Sequence, residues 1–297
     1  SNRQLVYSTT STDISPNRAA EKCRYAQDSC RLASMSFHLS APQSIEKKLD
    51  LFTSEPARFA TRAMLAGMFL GIMTAFAANT ATVIESLAPG MGRYAFASIF
   101  ASTLYIIVVL QGELATGDMM FMTYGAVHKK NTLRKGFALV CFVTLFNLIG
   151  GVLVTSMIAT TTIGEAVTTD SFIYQLMVSK LEKPSGKLFI EAILANIVVN
   201  IAFMLSAQAG KDFTAKLLGV IVIIPAFAAM SYEHSIANFV LTSLTGFEFG
   251  PAAIPGYTLD NVLRHWTIVW IGNFIGGGLI MGGIYGWLNL TKTEYKD

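Results

Sequence analysis

Charge is scarce in this sequence. Asp, Glu, Lys and Arg make up 14% of its 297 residues, against roughly 25% in soluble domains, while 53% are hydrophobic. That excludes a soluble enzyme and implies a chain crossing a membrane several times. The net charge of only +3 is spread over loops, so no nucleic-acid partner is indicated. Cysteine is scarce too: Cys23, Cys30 and Cys141 make no disulfide framework. Cys141 falls inside a predicted helix. Pairing and metal binding are both open to Cys23 and Cys30, without matching His or Cys partners. No metal and no cofactor are expected. The first residues lack the apolar region, about 7–15 residues long, of a secretory signal. No long polar block follows residue 60, so residues 61–290 read as one integral domain.

What is present is apolar sequence in runs of about 20 residues, the length that crosses roughly 30 Å of hydrocarbon. The runs fall near 63–83, 94–127, 136–158, 188–209, 217–247 and 265–289, two of them too long for one crossing. Residues 1–43 form a Ser-, Thr- and Arg-containing tail, expected to be disordered or cytoplasmic, with a transit-peptide remnant as the other reading. Residues 44–60 form an expected amphipathic helix on the membrane surface, and 291–297 a short tail. Lys129, Lys130, Arg134, Lys135, Lys211, Lys216, Lys292 and Lys296 fall on one side of an even number of crossings. The positive-inside rule then puts both termini in the cytoplasm. One outer segment, "KLEKPSGK" from Lys180 to Lys187, departs from the rule. Its lysines either snorkel at a helix mouth or form an electropositive vestibule that concentrates anions.

Both overlong runs are interrupted by polar residues, "QGELATGD" at Gln111–Asp118 and "SYEHSIAN" at Ser231–Asn238. Irregular backbone at membrane depth survives only where it is buried in protein or lines a cavity, so both crossings are expected to be broken helices. The next helix after each break carries a similar pattern, "NLIGG" from Asn147 and "NFIGG" from Asn273. The expected fold is therefore all-α, with six transmembrane helices in two inverted three-helix repeats, and a binding site near the bilayer midplane. Glycines in these helices fit close helix approach.

Glu233 and His234 are the only Asp, Glu, Lys, Arg or His between Leu217 and Phe247. Ionisable groups in a membrane are costly and mark ion or proton routes. His234 and Asn238, four apart, share a helical face and are expected to face the pathway. Glu233 is expected to steady the broken segment by accepting backbone amides, and a purely structural hydrogen bond is the other reading for each. The Thr116 hydroxyl is placed to reach His234 across the repeat axis. Asn196 and Asn200 either line a pore or bond to broken backbone. An enzyme would need a nucleophile or metal set. With His234 taken as the only intramembrane histidine and no His/Cys cluster beside it, none is expected.

"YEHSIAN" at Tyr232–Asn238, with "GELATGD", "ILANIVVNIAF" and "IGNFIGGG", resembles the formate/nitrite transporter family over about residues 50–290. The resemblance implies an aquaporin-like homopentamer with one pore per protomer. It further implies lipid contact and the passage of small monovalent anions such as formate, nitrite, hydrosulfide, lactate or acetate, with possible proton coupling. By resemblance the pore residues are His234, Thr116, Asn196, Asn238 and Lys180, with Lys183 and Lys187 as rivals for the lysine. Leu114 and Ala115 belong to the constriction or its loop, and Glu113, Glu233, Asn147 and Asn273 are structural supports. The family's usual Phe is Ala115 here, implying a wider gate or a gap filled by another side chain, and its usual Cys is Ala195. Lys180 followed by Pro184 is similar to the nitrite-channel branch. A water or small neutral-solute channel of like architecture is the alternative, against which the outer lysines argue.

Overall fold

A computed structural model describes residues 36–296. Cys23, Cys30 and most of the expected tail lie outside the described residues. The described chain begins with α1 (Phe37–Ser54), capped by Ser36, whose side chain accepts from the Leu39 amide. Its buried residues Phe37, Ala41, Ile45 and Leu49 recur every four positions, which places one apolar stripe against the protein. Pro56 opens the next helix, so Glu55 stands in a non-helical conformation and separates the two. The surface helix expected at 44–60 therefore starts earlier, because Ser36 supplies a cap, and ends earlier, because the residue before a proline is turned away from helix.

Then follow α2 (Pro56–Leu87), α3 (Gly92–Phe100), α4 (Ser102–Val109), α5 (Ala115–Val127) and α6 (Leu133–Ala159). A short α7 (Thr162–Glu165) and α8 (Phe172–Leu181) lead to α9 (Ser185–Gln208), α10 (Phe213–Ala229) and α11 (Ser235–Phe249). The chain closes with α12 (Leu259–Asn273), a π-helical stretch Phe274–Ile284 and α13 (Tyr285–Leu288). Among the described residues, five helical segments are long and apolar enough to cross a membrane: Pro56–Leu87, Gly92–Val109, Leu133–Ala159, Ser185–Gln208 and Leu259–Leu288. Phe213–Ala229 is a shorter apolar helix.

The two overlong runs are both cut. Between α4 and α5 the chain leaves the helix at Gln111, with φ +58°, and re-enters from an extended Leu114. Between α10 and α11 it does the same at Ser231, with φ +53°, and an extended His234. Neither residue in the left-handed region is a glycine, a conformation that costs about 1–2 kcal/mol, so surrounding structure must hold both turns.

Packing follows the same pairing twice. α2 lies along α6 and α9 along α12; α3 packs on α2 as α10 packs on α9. The helix resuming after each break packs on the other half: α5 against the π-helical stretch, α11 against α6. Close approach depends on glycine at matched places. A Cβ on Gly150 would stand 2.0 Å from the Met64 carbonyl oxygen, and one on Gly276 2.2 Å from that of Ile193. Backbone on both sides leaves nothing that can swing away. Between α6 and α9, α8 buries Ile173, Met177, Lys180 and Leu181, carrying one lysine of "KLEKPSGK" into the interior.

Gly150→Ala and Gly276→Ala are each expected to cost about 1–3 kcal/mol or more through overpacking. Gly186→Ala, where the added Cβ meets nothing within 4 Å, should leave thermal stability in detergent unchanged. Equal melting temperatures for all three would refute the close-contact account.

Candidate functional site

Each break leaves backbone groups without helical partners, and one asparagine serves each break in the same way. Asn147 Oδ1 accepts from the Ala115 amide at 3.0 Å, and its Nδ2 donates to the carbonyls of Ala63, at 2.7 Å, and Glu113, at 2.8 Å. Asn273 Oδ1 accepts from the Ser235 amide at 2.7 Å, and its Nδ2 donates to Ala192, at 2.7 Å, and Glu233, at 2.9 Å. Both side chains are fully buried. Each joins the first amide of a resuming helix to the last carbonyls of a break and to a neighbouring helix.

Held in this way, the two breaks meet at Thr116 and His234, whose Oγ1 and Nε2 lie 2.9 Å apart. The Ala237 amide donates to His234 Nδ1 at 3.2 Å, so the imidazole caps α11. A ring whose Nδ1 accepts carries its proton, when neutral, on Nε2, where it is directed at the threonine oxygen. The Thr116 carbonyl accepts from Asn196 Nδ2 and Asn200 Nδ2, both at 3.2 Å. Asn196 also donates to the Asn273 carbonyl at 2.8 Å.

Two small cavities have His234, Phe100 and Phe227 in common. One, of about 20 Å³, is otherwise apolar apart from Thr103 and includes Leu114. The other, of about 40 Å³, is lined by Lys180, Asn238, Ser231 and Thr74 as well as apolar groups. A third, of about 300 Å³, opens beside the first break among Lys47, Lys48, Arg62, Lys216 and Glu113.

Charged side chains gather on each break. At the second, Glu233 Oε2 accepts from Lys180 Nζ at 2.9 Å and Asn238 Nδ2 at 2.7 Å, and Oε1 accepts from Lys183 Nζ at 2.6 Å. Lys183 also reaches Glu191, at 2.6 Å, and the Ser231 carbonyl, at 2.7 Å. At the first, Lys48 of α1 pairs with Glu113 and, at 2.8 Å, with Asp118. Burial alone would lower the Lys48 pKa, but the Asp118 and Glu113 carboxylates outweigh it and raise it above the ordinary lysine value. The stabilising charge is therefore fully present at neutral pH and is lost only as pH rises past that elevated value.

Several expected residues sit differently from their sequence reading. Glu233 accepts from side-chain donors, not backbone amides, because two lysines and Asn238 converge on it. Asn238 does line the larger cavity, while Asn196, expected in the pore, bonds to backbone and lines neither small cavity, since its amide is taken by Thr116 and Asn273. Lys180 lines the larger cavity; Lys183 shares its carboxylate, and Lys187 has no part in either contact. Ala115 is fully buried, and its amide is held by Asn147. His234 is not the only buried histidine: His265 is 1% exposed, with Nε2 3.4 Å from Glu233 Oε2. Nothing in the chain marked out His265, which sits beside Arg264 and Asp260 at the start of a helix, or Phe100 and Phe227, which look like any apolar helix residues.

Residues 36–287 match the family model described as formate/nitrite transporter. The uncharacterized transporter YwcJ of Bacillus subtilis is 30% identical, over 82% of this chain and 93% of its own. The nitrite transporter NirC of Salmonella typhimurium is 29% identical, over 82% and 87%, and the formate channel BtFdhC of Bacillus thuringiensis 29%, over 63% and 70%. A solved FNT family ion channel is similar with a TM-score of 0.76 at 25% identity, covering 84% of this chain and 98% of that one. A pentameric formate channel with formate bound has a TM-score of 0.64 at 19% identity, over 79% and 98%, a likeness of fold alone.

Removing an anchor should be costly. Asn273→Ala leaves the Ser235 amide and the Glu233 carbonyl unpaired, at about 1–3 kcal/mol each, and Glu233→Gln takes from the buried Lys180 its carboxylate partner, at about 3–5 kcal/mol for a broken buried pair. Both variants should melt well below the parent protein in a detergent thermal-unfolding assay. A melting temperature unchanged in Asn273→Ala would show that the break is held by something else.

Proposed function

The chain belongs to the formate/nitrite transporter family, an integral multi-pass membrane protein, and on that footing we propose that it carries small monovalent anions of weak acids, nitrite or formate foremost, through a pore in each protomer. The observation that carries this reading is the contact between Thr116 and His234, made where two helix breaks meet and two cavities share a wall. In this reading the helices form six crossings in two inverted three-helix units, supported by the matched asparagines and the matched packing. The protomers assemble as a homopentamer, and the basic loops hold both termini in the cytoplasm.

The pore runs through the larger cavity, past His234, into the smaller one and on to the wide opening beside Lys48. Lys180 draws an anion into the larger cavity. A cavity that admits a water-sized molecule needs about 10–15 Å³, so an ion entering these spaces sheds most of its hydration. Losing it costs a bare charge heavily, which favours the neutral acid of the same anion. Uptake is thereby coupled to protons that arrive with the anion. His234 contributes the Nε2–H as a hydrogen-bond donor to the passing oxygen, in place of Thr116. Its Nδ1 lone pair is occupied by the Ala237 amide. Asn238 offers a second donor, and Leu114, Phe100 and Phe227 keep water out.

Purified protein in liposomes should take up nitrite and formate faster as external pH falls. A donor lost to a charged oxygen is worth about 1.5–3 kcal/mol, so His234→Leu should slow uptake about ten- to a hundredfold. His234→Asn, which keeps a side-chain N–H, should retain the pH dependence and recover part of the rate, since the proton arrives with the anion. Lys180→Ala should raise the half-saturation concentration. Glycerol swelling without anion uptake would favour a neutral-solute channel, and unchanged rates in both His234 variants would remove the histidine from the mechanism.

A further inference from the structure

His265 has no place in the path described so far. It lies on α12 and lines neither small cavity, and neither ring nitrogen makes a well-formed hydrogen bond although the side chain is 1% exposed. An unsatisfied buried imidazole is costly, and the group that it faces is informative. Its Nε2 stands 3.4 Å from Glu233 Oε2, beyond a good hydrogen bond but within reach of a small side-chain shift.

That oxygen is already occupied by Lys180 at 2.9 Å and Asn238 at 2.7 Å. Both of those donors line the larger cavity; His265 does not. An anion in the cavity competes with Glu233 for the donors on its own side, Lys180 above all. Lys183 stays behind on the other oxygen, Oε1, tied also to Glu191 and the Ser231 carbonyl. If Lys180 turned to the anion with nothing to replace it, a buried carboxylate oxygen would lose its strongest partner, and the anion would have to offset that loss.

Resting on the anion-transport reading, we propose that His265 is a positioning residue on standby: with its proton on Nε2, it closes onto Glu233 Oε2 as an entering anion draws Lys180 away. No bond is made or broken covalently; one charge-assisted hydrogen bond is exchanged for another. The backbone around it is set to keep this geometry. Arg264, the preceding residue, bonds to Ser185 Oγ at 2.8 Å and to the carbonyls of Leu181 and Lys183. Arg264 thus ties this part of α12 to the segment that carries both lysines, which keeps the His265 ring beside Glu233.

The test compares His265→Phe, which keeps a ring of similar size without a donor, with His265→Gln, which restores an N–H. In proteoliposomes, His265→Phe should raise the half-saturation concentration for nitrite and formate about tenfold, equivalent to one lost interaction of about 1.4 kcal/mol, with the maximal rate little changed. His265→Gln should recover most of the affinity. In detergent, the anion concentration that half-saturates thermal stabilisation should shift in parallel. Unshifted half-saturation in His265→Phe, or an equal shift in both variants, would overturn the standby role. So would wild-type protein that shows no anion-dependent stabilisation. Wild-type protein that is stabilised by anions yet moves none would overturn the transport reading while the binding shift still decides this one.

Discussion

An interrupted helix inside a membrane has backbone amides and carbonyls that neither lipid nor helix can satisfy, and this structure depends on meeting that demand at two places. Asn147 and Asn273 meet it with one side-chain type used identically: Oδ1 for the first amide of the resuming helix, Nδ2 for two carbonyls. An Asp would lack the donor and a Ser the reach, since three partners on three segments are engaged at once. Thr116 and His234 meet because these two anchors fix where both breaks sit. The glycines beside the asparagines matter for the same reason: only with the helix backbones in contact can so short a side chain span the gap.

Charge is distributed by the same logic. Glu233 is tolerated at zero exposure because two lysines, Asn238 and the nearby His265 surround it. Lys48 of α1 makes the same kind of arrangement at the first break, with Glu113 and Asp118. Each break therefore carries a carboxylate paired with a lysine contributed by a separate segment. Backbone bonding sets where each break sits, and sign is set by the residues arriving from outside the broken helix.

Much of this was legible because polar residues in an apolar run reveal themselves. The two breaks, the reach from Thr116 to His234 and the recurring Asn-x-Ile-Gly-Gly pattern follow from that contrast. What could not be read were properties conferred by neighbours. The composition of "KLEKPSGK" left its lysines as snorkelling groups or a vestibule, whereas α8 buries Lys180 itself. Glu233 could not be matched to its donors, since Lys180 and Lys183 lie some fifty positions away in the chain. Asn196 and Asn200 were indistinguishable in sequence as lining or supporting groups; in the structure Asn196 bonds to the Thr116 and Asn273 carbonyls. Phe100 and Phe227 gave no signal at all, because an aromatic facing a cavity and one facing lipid have the same helical pattern around them.

The two cavities sharing Phe100, Phe227 and His234 are each little larger than a water molecule. The proposed path through them would run single file: solutes could not overtake or exchange places, so whatever entered first would have to leave first or retreat. Net flow along such a path would respond to both faces of the membrane at once, and a slow-moving solute lodged beside His234 would halt traffic in both directions. Narrowness of this kind would give the proposed path a queue, and with it a sensitivity to the composition of the mixture, not only to the concentration of one anion.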